Sequence, residues 1–89
     1  MKEVSVDELR GRLETEEDLV VLDVREPDEV AQAAISGSVN IPLGQVVDRM
    51  NELDPARSTA VICAGGVRSV KAIEALTAAG YTGELVNVR

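Results

Sequence analysis

Two runs of the chain are apolar almost without interruption. Leu19-Val20-Val21-Leu22-Asp23-Val24 is rich in valine and lacks the alternation of a half-exposed strand, so it predicts a central, parallel strand buried on both faces. Thr59-Ala60-Val61-Ile62-Cys63 predicts another buried strand. Elsewhere the spacing of apolar residues widens to three and four. Val6, Leu9 and Leu13 form one stripe, and Ser5-Val6-Asp7-Glu8 has the form of a capping box, which predicts a short amphipathic helix near 6–14. Glu26-Pro27-Asp28-Glu29 opens a second short helix, with Pro27 suited to its first turn. Residues 38–42 predict a short strand that Pro42 ends, with Ile41 held extended by the following proline. Val46, Val47, Met50 and Leu53 predict a helix over 44–53, closed by Asp54-Pro55. From Ser69 a further helix turns Val70, Ile73 and Leu76 toward the core, with Gly80 capping its end, and 84–88 predict the last strand.

The order is strand, helix, strand, short helix, strand, helix, strand, helix, strand. Such alternation predicts an α/β fold with a mostly parallel central sheet and helices on both faces. The 89 residues suffice for one domain, taken as 1–89. Composition changes this picture in two ways. Tyr81 is the sole aromatic residue, so aliphatic side chains and alanine must fill the core. The net charge of −7 argues against nucleic acid as a partner, because phosphate binding needs a basic face. A single cysteine and no signal-like apolar run after Met1 lead us to expect a cytoplasmic protein, and no run is long enough to cross a membrane. The absence of histidine, with one cysteine, removes the usual zinc sites and any Cys–His catalytic pair within the chain.

The candidate chemistry lies in residues 61–69, Val-Ile-Cys-Ala-Gly-Gly-Val-Arg-Ser. Cys63 ends a predicted central strand, and ligands of open parallel sheets bind beyond the strands' carboxyl ends. Gly65 and Gly66 allow a tight loop whose N–H groups converge as a nest, and the next helix aims its positive end at the same place. Both features, with Arg68 nearby, favour a reactive thiolate that needs no general base. The bland alternative is a small buried hydrophobe.

Four segments together resemble the rhodanese-like sulfurtransferase domain: 22–30 (LDVREPDEV), 35–43 (ISGSVNIPL), 61–69 (VICAGGVRS) and 79–88 (AGYTGELVNV). The resemblance implies that the Cys63 thiolate takes the outer sulfur of a donor, becomes a persulfide, and passes that sulfur to a second nucleophile. Ala64, Gly65, Gly66, Val67 and Arg68 would then form the substrate-binding cradle, with no cofactor and no metal. The implied partners are a small-molecule or protein sulfur donor and an external thiol acceptor, with no membrane or nucleic acid involved. Phosphatases that resemble the family carry a loop one residue longer between Cys and Arg, so the four residues Ala64 to Val67 favour sulfur transfer. Three departures stand out. Ala64 replaces the arginine that many members place after the cysteine, which puts thiosulfate use in question. Ala33-Ala34 replaces a Gly-His pair. The sequence given stops at Arg89, before the Gly-Gly turn and tryptophan-bearing helix that follow the last strand in the family, so the expectation is either a minimal domain without that helix or a piece of a longer chain. The alternative function is a rhodanese-like binding or redox-sensing module without turnover.

Other residues near the predicted edge allow two readings each. Asp23 and Arg25 form a structural ion pair, or Arg25 helps to bind donor; the structural reading is preferred. Arg68 braces the loop through carbonyls or carboxylates, or reaches the bound anion. Ser69 is read as a helix cap rather than a catalytic group. Asn40 is read as a turn or backbone-bonding residue. Asp28 and Glu29 are read as first-turn residues without a catalytic role.

Overall fold

A computed structural model describes all of residues 1–89. Five strands form one sheet in the order β1-β5-β4-β2-β3: β1 (Lys2–Val4), β2 (Val20–Asp23), β3 (Val39–Asn40), β4 (Thr59–Ile62) and β5 (Leu85–Val88). Every neighbouring pair is parallel, with Val20–Asp23 in register against Thr59–Ile62 at the centre. The two uninterrupted apolar runs are thus the middle of the sheet, where side chains on both faces leave water. Period-two alternation sends Leu22 and Val61 to one face, Val21 and Ala60 to the other.

Each face has its own aliphatic cluster. The larger joins Leu22, Val24, Ile41 and Val61 to Ala72, Ile73 and Leu76 of helix α3 (Val67–Ala78). The smaller joins Val21, Ala60 and Val88 to Leu9 of helix α1 (Val6–Thr15). The capping box of α1 forms as expected: the Glu8 amide donates to Ser5 Oγ at 3.1 Å, and the Ser5 amide donates to Glu8 Oε1 at 3.0 Å. Its expected apolar stripe is only partly covered. Leu9 is buried, whereas Val6 and Leu13 are 51% and 38% exposed. Helix α2 (Pro27–Gln32) begins at Pro27 as read from the sequence and buries no side chain fully.

The helix expected over 44–53 does not form. Two short 3-10 turns, Leu43–Gln45 and Met50–Glu52, take its place. Gly44 and the β-branched pair Val46-Val47 weaken an α-helix, and the tighter winding buries Val46 and Leu53 while leaving Val47 41% exposed. The strand expected over 38–42 shrinks to Val39–Asn40. The chain stays extended beyond it, with the amides of Ile41 and Leu43 donating to the carbonyls of Asp23 and Val24. At the other end of α3, Gly80 takes φ +93°, and the Tyr81 amide reaches back to the Leu76 carbonyl at 3.0 Å, which closes the helix as its glycine predicts. No helix is long and apolar enough to cross a membrane.

Candidate active site

The sheet order opens a crevice beside β4. The chain leaves β2 for β3 on one side and leaves β4 for β5 on the other, so the loops after these two adjacent strands diverge. Cys63 is the first residue past β4, one step beyond the strand it was expected to end. Asp23 ends β2 on the same rim, and Arg25 follows it.

Helix α3 starts at Val67, two residues earlier than the sequence suggested, with Gly66 in the left-handed region at φ +81° as its N-terminal flank. A glycine has no side chain to satisfy the first-turn amides, and the cysteine sulfur does so instead. The Gly66 amide donates to Cys63 Sγ at 3.0 Å and the Ser69 amide donates to it at 3.3 Å. Ser69 is therefore not the cap. It lies inside the first turn, fully buried, with its hydroxyl 3.3 Å from Sγ, where the O–H can donate to a thiolate. The sulfur occupies the place that a serine or aspartate oxygen takes at other helix starts. Burial pushes the Cys63 thiol up. The Ser69 hydroxyl and the amides of Ser69, Gly66 and Gly65 outweigh it and leave the thiol more acidic than an ordinary cysteine. Of the other loop residues, Ala64, Gly65 and Val67 form the exposed rim, and Cys63 itself is half-buried.

Both nearby arginines are held by carboxylates. Arg68 Nη1 and Nη2 grip Glu29 Oε1 and Oε2 at 2.6 and 2.9 Å, a two-pronged pair that ties α3 to α2. It raises the Arg68 pKa and draws the Glu29 carboxyl down to about 2. Glu29, read from sequence as a mere first-turn residue, is thus the brace of the helix start that follows the Cys63 loop. The two residues are 39 apart in sequence, and no local pattern links them. Arg25 donates from Nε and Nη2 to the Asp23 carboxylate and from Nη2 to the Ala33 carbonyl at 2.7 Å. Asp23 is fully buried, so this pair is structural but is no surface bridge. Removing one side of such a pair costs about 3–5 kcal/mol. Asn40 donates from Nδ2 to the carbonyls of Asp23 and Arg25 at 2.9 Å and locks the same turn.

An apolar hollow opens on the α1 side of the sheet next to residues 62–64. This hollow, of about 220 Å³, is lined by Cys63, Ala64, Ile62, Ile35 and Val88 among others, with Arg89 as its charged member. No three His, Cys, Asp or Glu side chains come together as a metal site. The Gly66 and Ser69 amides and the Ser69 hydroxyl can hold a sulfur-centred anion at Cys63.

The model of the rhodanese-like domain matches residues 5–89. The chain belongs to the rhodanese-like domain family. A sulfurtransferase of Allochromatium vinosum is 33% identical over 89 residues, covering all of this chain and 82% of its own length. The crystal structure of a rhodanese-like domain protein from Staphylococcus aureus superposes with a TM-score of 0.91 at 34% identity, over all of this chain and 85% of that one. A rhodanese-related protein from Thermoplasma volcanium gives a TM-score of 0.88 at 31% identity, over all of this chain and 84% of that one. The four segments that resemble the rhodanese-like family all fall inside the matched residues.

Proposed function

We infer that this rhodanese-like domain is a sulfurtransferase that carries sulfur on Cys63. The observation that supports this most is the convergence of the Gly66 and Ser69 amides and the Ser69 hydroxyl on one half-buried sulfur. Those dipoles favour the thiolate, which is the nucleophilic form. The thiolate attacks the outer sulfur of a donor R–S–SH. The bond from that sulfur to the inner sulfur breaks, and R–S⁻ leaves with the electron pair. Cys63 is then a persulfide, and oriented amides already in place need no rearrangement to hold the charge. An acceptor nucleophile attacks the outer sulfur, and Cys63 departs as thiolate. Cys63 is the only cysteine in the sequence, so the acceptor thiol comes from outside these residues.

Incubation with glutathione persulfide, inorganic polysulfide or thiosulfate, followed by intact-protein mass spectrometry, tests the reading. The wild type should gain one sulfur and Cys63→Ser none. Absence of an adduct with every donor would overturn it. A second reading, a binding module without turnover, draws on Ala64 and on the capture of both arginines by carboxylates, which leaves thiosulfate without a guanidinium of the loop. Under that reading Cys63→Ala and wild type give equal colour in a cyanide–thiosulfate assay, and no donor loads the wild type.

A further inference from the structure

The two arginines of the Cys63 rim are already matched by carboxylates, but the pairs differ in kind. Asp23, which takes Nε and Nη2 of Arg25, is fully buried, so that pair belongs to the fold. The Arg68 and Glu29 side chains are 33% and 34% exposed, so small solutes reach both ends of their pair. Glu29 is also held from its own side. The Glu26 amide donates to Glu29 Oε1 at 3.1 Å, the same oxygen that takes Arg68 Nη1. The carboxylate is fixed by α2, and the guanidinium comes to it. Arg68 directly precedes Ser69, whose amide and hydroxyl face the sulfur. The Cys63 thiolate is among the charges that raise the Arg68 pKa, after Glu29 itself. A cation thus stands within electrostatic reach of the nucleophile, and a carboxylate cancels it. An uncharged amide at position 29 would still accept a hydrogen bond from Arg68. What the carboxylate adds is charge.

We propose that Glu29 is a specificity-determining residue: by neutralising Arg68 it turns away donors that bring two negative charges to Cys63 and leaves the site to hydropersulfides, R–S–SH, whose charge near the site is confined to the transferred sulfur. The proposal rests on the persulfide reading of Cys63 and adds the charge class of the donor. With thiosulfate, the thiolate attacks the outer sulfur, the S–S bond breaks, and sulfite leaves with the electron pair as a dianion. Thiolate and thiosulfate together gather three negative charges beside a guanidinium that is already neutralised. The amides and hydroxyl that converge on Sγ are dipoles without net charge and do not balance them. With R–S–SH the same bond breaks and a single thiolate, R–S⁻, leaves.

Two alkylating reagents read this without any transfer step. Iodoacetate is anionic and iodoacetamide is its neutral counterpart. The ratio of their rates at one pH cancels changes in thiolate fraction and in loop order, and keeps the charge that the reagent meets. At low salt Glu29→Gln should raise the iodoacetate-to-iodoacetamide ratio about tenfold. Arg68→Gln should lower it, and the double variant Glu29→Gln/Arg68→Gln should return to the wild-type ratio. Loading is then followed by intact-protein mass spectrometry with thiosulfate and with the hydropersulfide of N-acetylcysteine amide, which is neutral apart from its sulfur. Wild type should favour the hydropersulfide, and Glu29→Gln should shift the preference toward thiosulfate about tenfold or more. An unchanged alkylation ratio in Glu29→Gln, with both reagents slowed alike, would make Glu29 structural only and overturn the proposal. A ratio that rises equally in Glu29→Gln and in the double variant would overturn the part given to Arg68. A shifted ratio with an unshifted donor preference would overturn the selection of donors. A shifted ratio with no donor loading any form upholds the charge effect of Glu29 and removes the persulfide reading.

Discussion

At the scale of single residues, the acidity of the Cys63 thiol depends on Ser69 as well as on the loop amides. The Ser69 amide and hydroxyl both face the sulfur, 3.3 Å away, so this residue supplies half of the contacts that offset the cost of burial. Ser69→Ala removes the hydroxyl and keeps the amide. A hydrogen bond to a charged group is worth about 1.5–3 kcal/mol, so alkylation of Cys63 by iodoacetamide near neutral pH should slow about tenfold, with its pH profile displaced upward. An unchanged profile would show that the backbone amides alone hold the thiolate. The sequence marked Ser69 as a cap because a hydroxyl at a helix start usually is one. Only the earlier start of α3, which places the serine inside the first turn, reveals its partner.

At the scale of elements, the legible parts were those with local causes. The capping box and stripe announced α1, and the unbroken apolar runs announced β2 and β4. The start of α3 was obscure because its capping atom belongs to Cys63, three residues before Gly66, rather than to the flanking residue itself. The span 44–53 departs from the helix that Val46, Val47, Met50 and Leu53 predict because Gly44 and the β-branched Val47 resist it. Glu29 was illegible because its arginine sits on another element. The loop-to-helix join carries its own expectation. Gly66 has open space where a Cβ would go, so Gly66→Ala is strained only by φ +81°. It should lower urea stability by about 1–2 kcal/mol and slow Cys63 alkylation as its amide shifts. Gly65→Ala, with open space and no positive φ, should change stability by no more than about 0.5 kcal/mol.

At the scale of the whole molecule, the Arg68–Glu29 pair links helices that follow two different central strands, and it ties acid stability to the site. Glu29 has its folded-state pKa lowered from 4.5 to about 2. Its contribution is therefore complete above the unfolded value and is lost as pH falls through about 2. Glu29→Gln should lower the urea midpoint at pH 7, and the gap from wild type should close as pH falls from about 4.5 to about 2. A constant gap would mean that the charge of Glu29 is not what the brace uses. One more consequence belongs to this scale. The atom that begins α3 is also the atom that would carry sulfur under the proposed function, which would couple occupancy of Cys63 thermodynamically to the robustness of the fold. Under the proposed function, loading moves the charge at the helix start from Cys63 Sγ to the added outer sulfur, and unloading moves it back. A calorimetric melting scan of the protein in its resting, loaded and blocked forms is then a ledger of what the sulfur carries, readable without any chromogenic substrate.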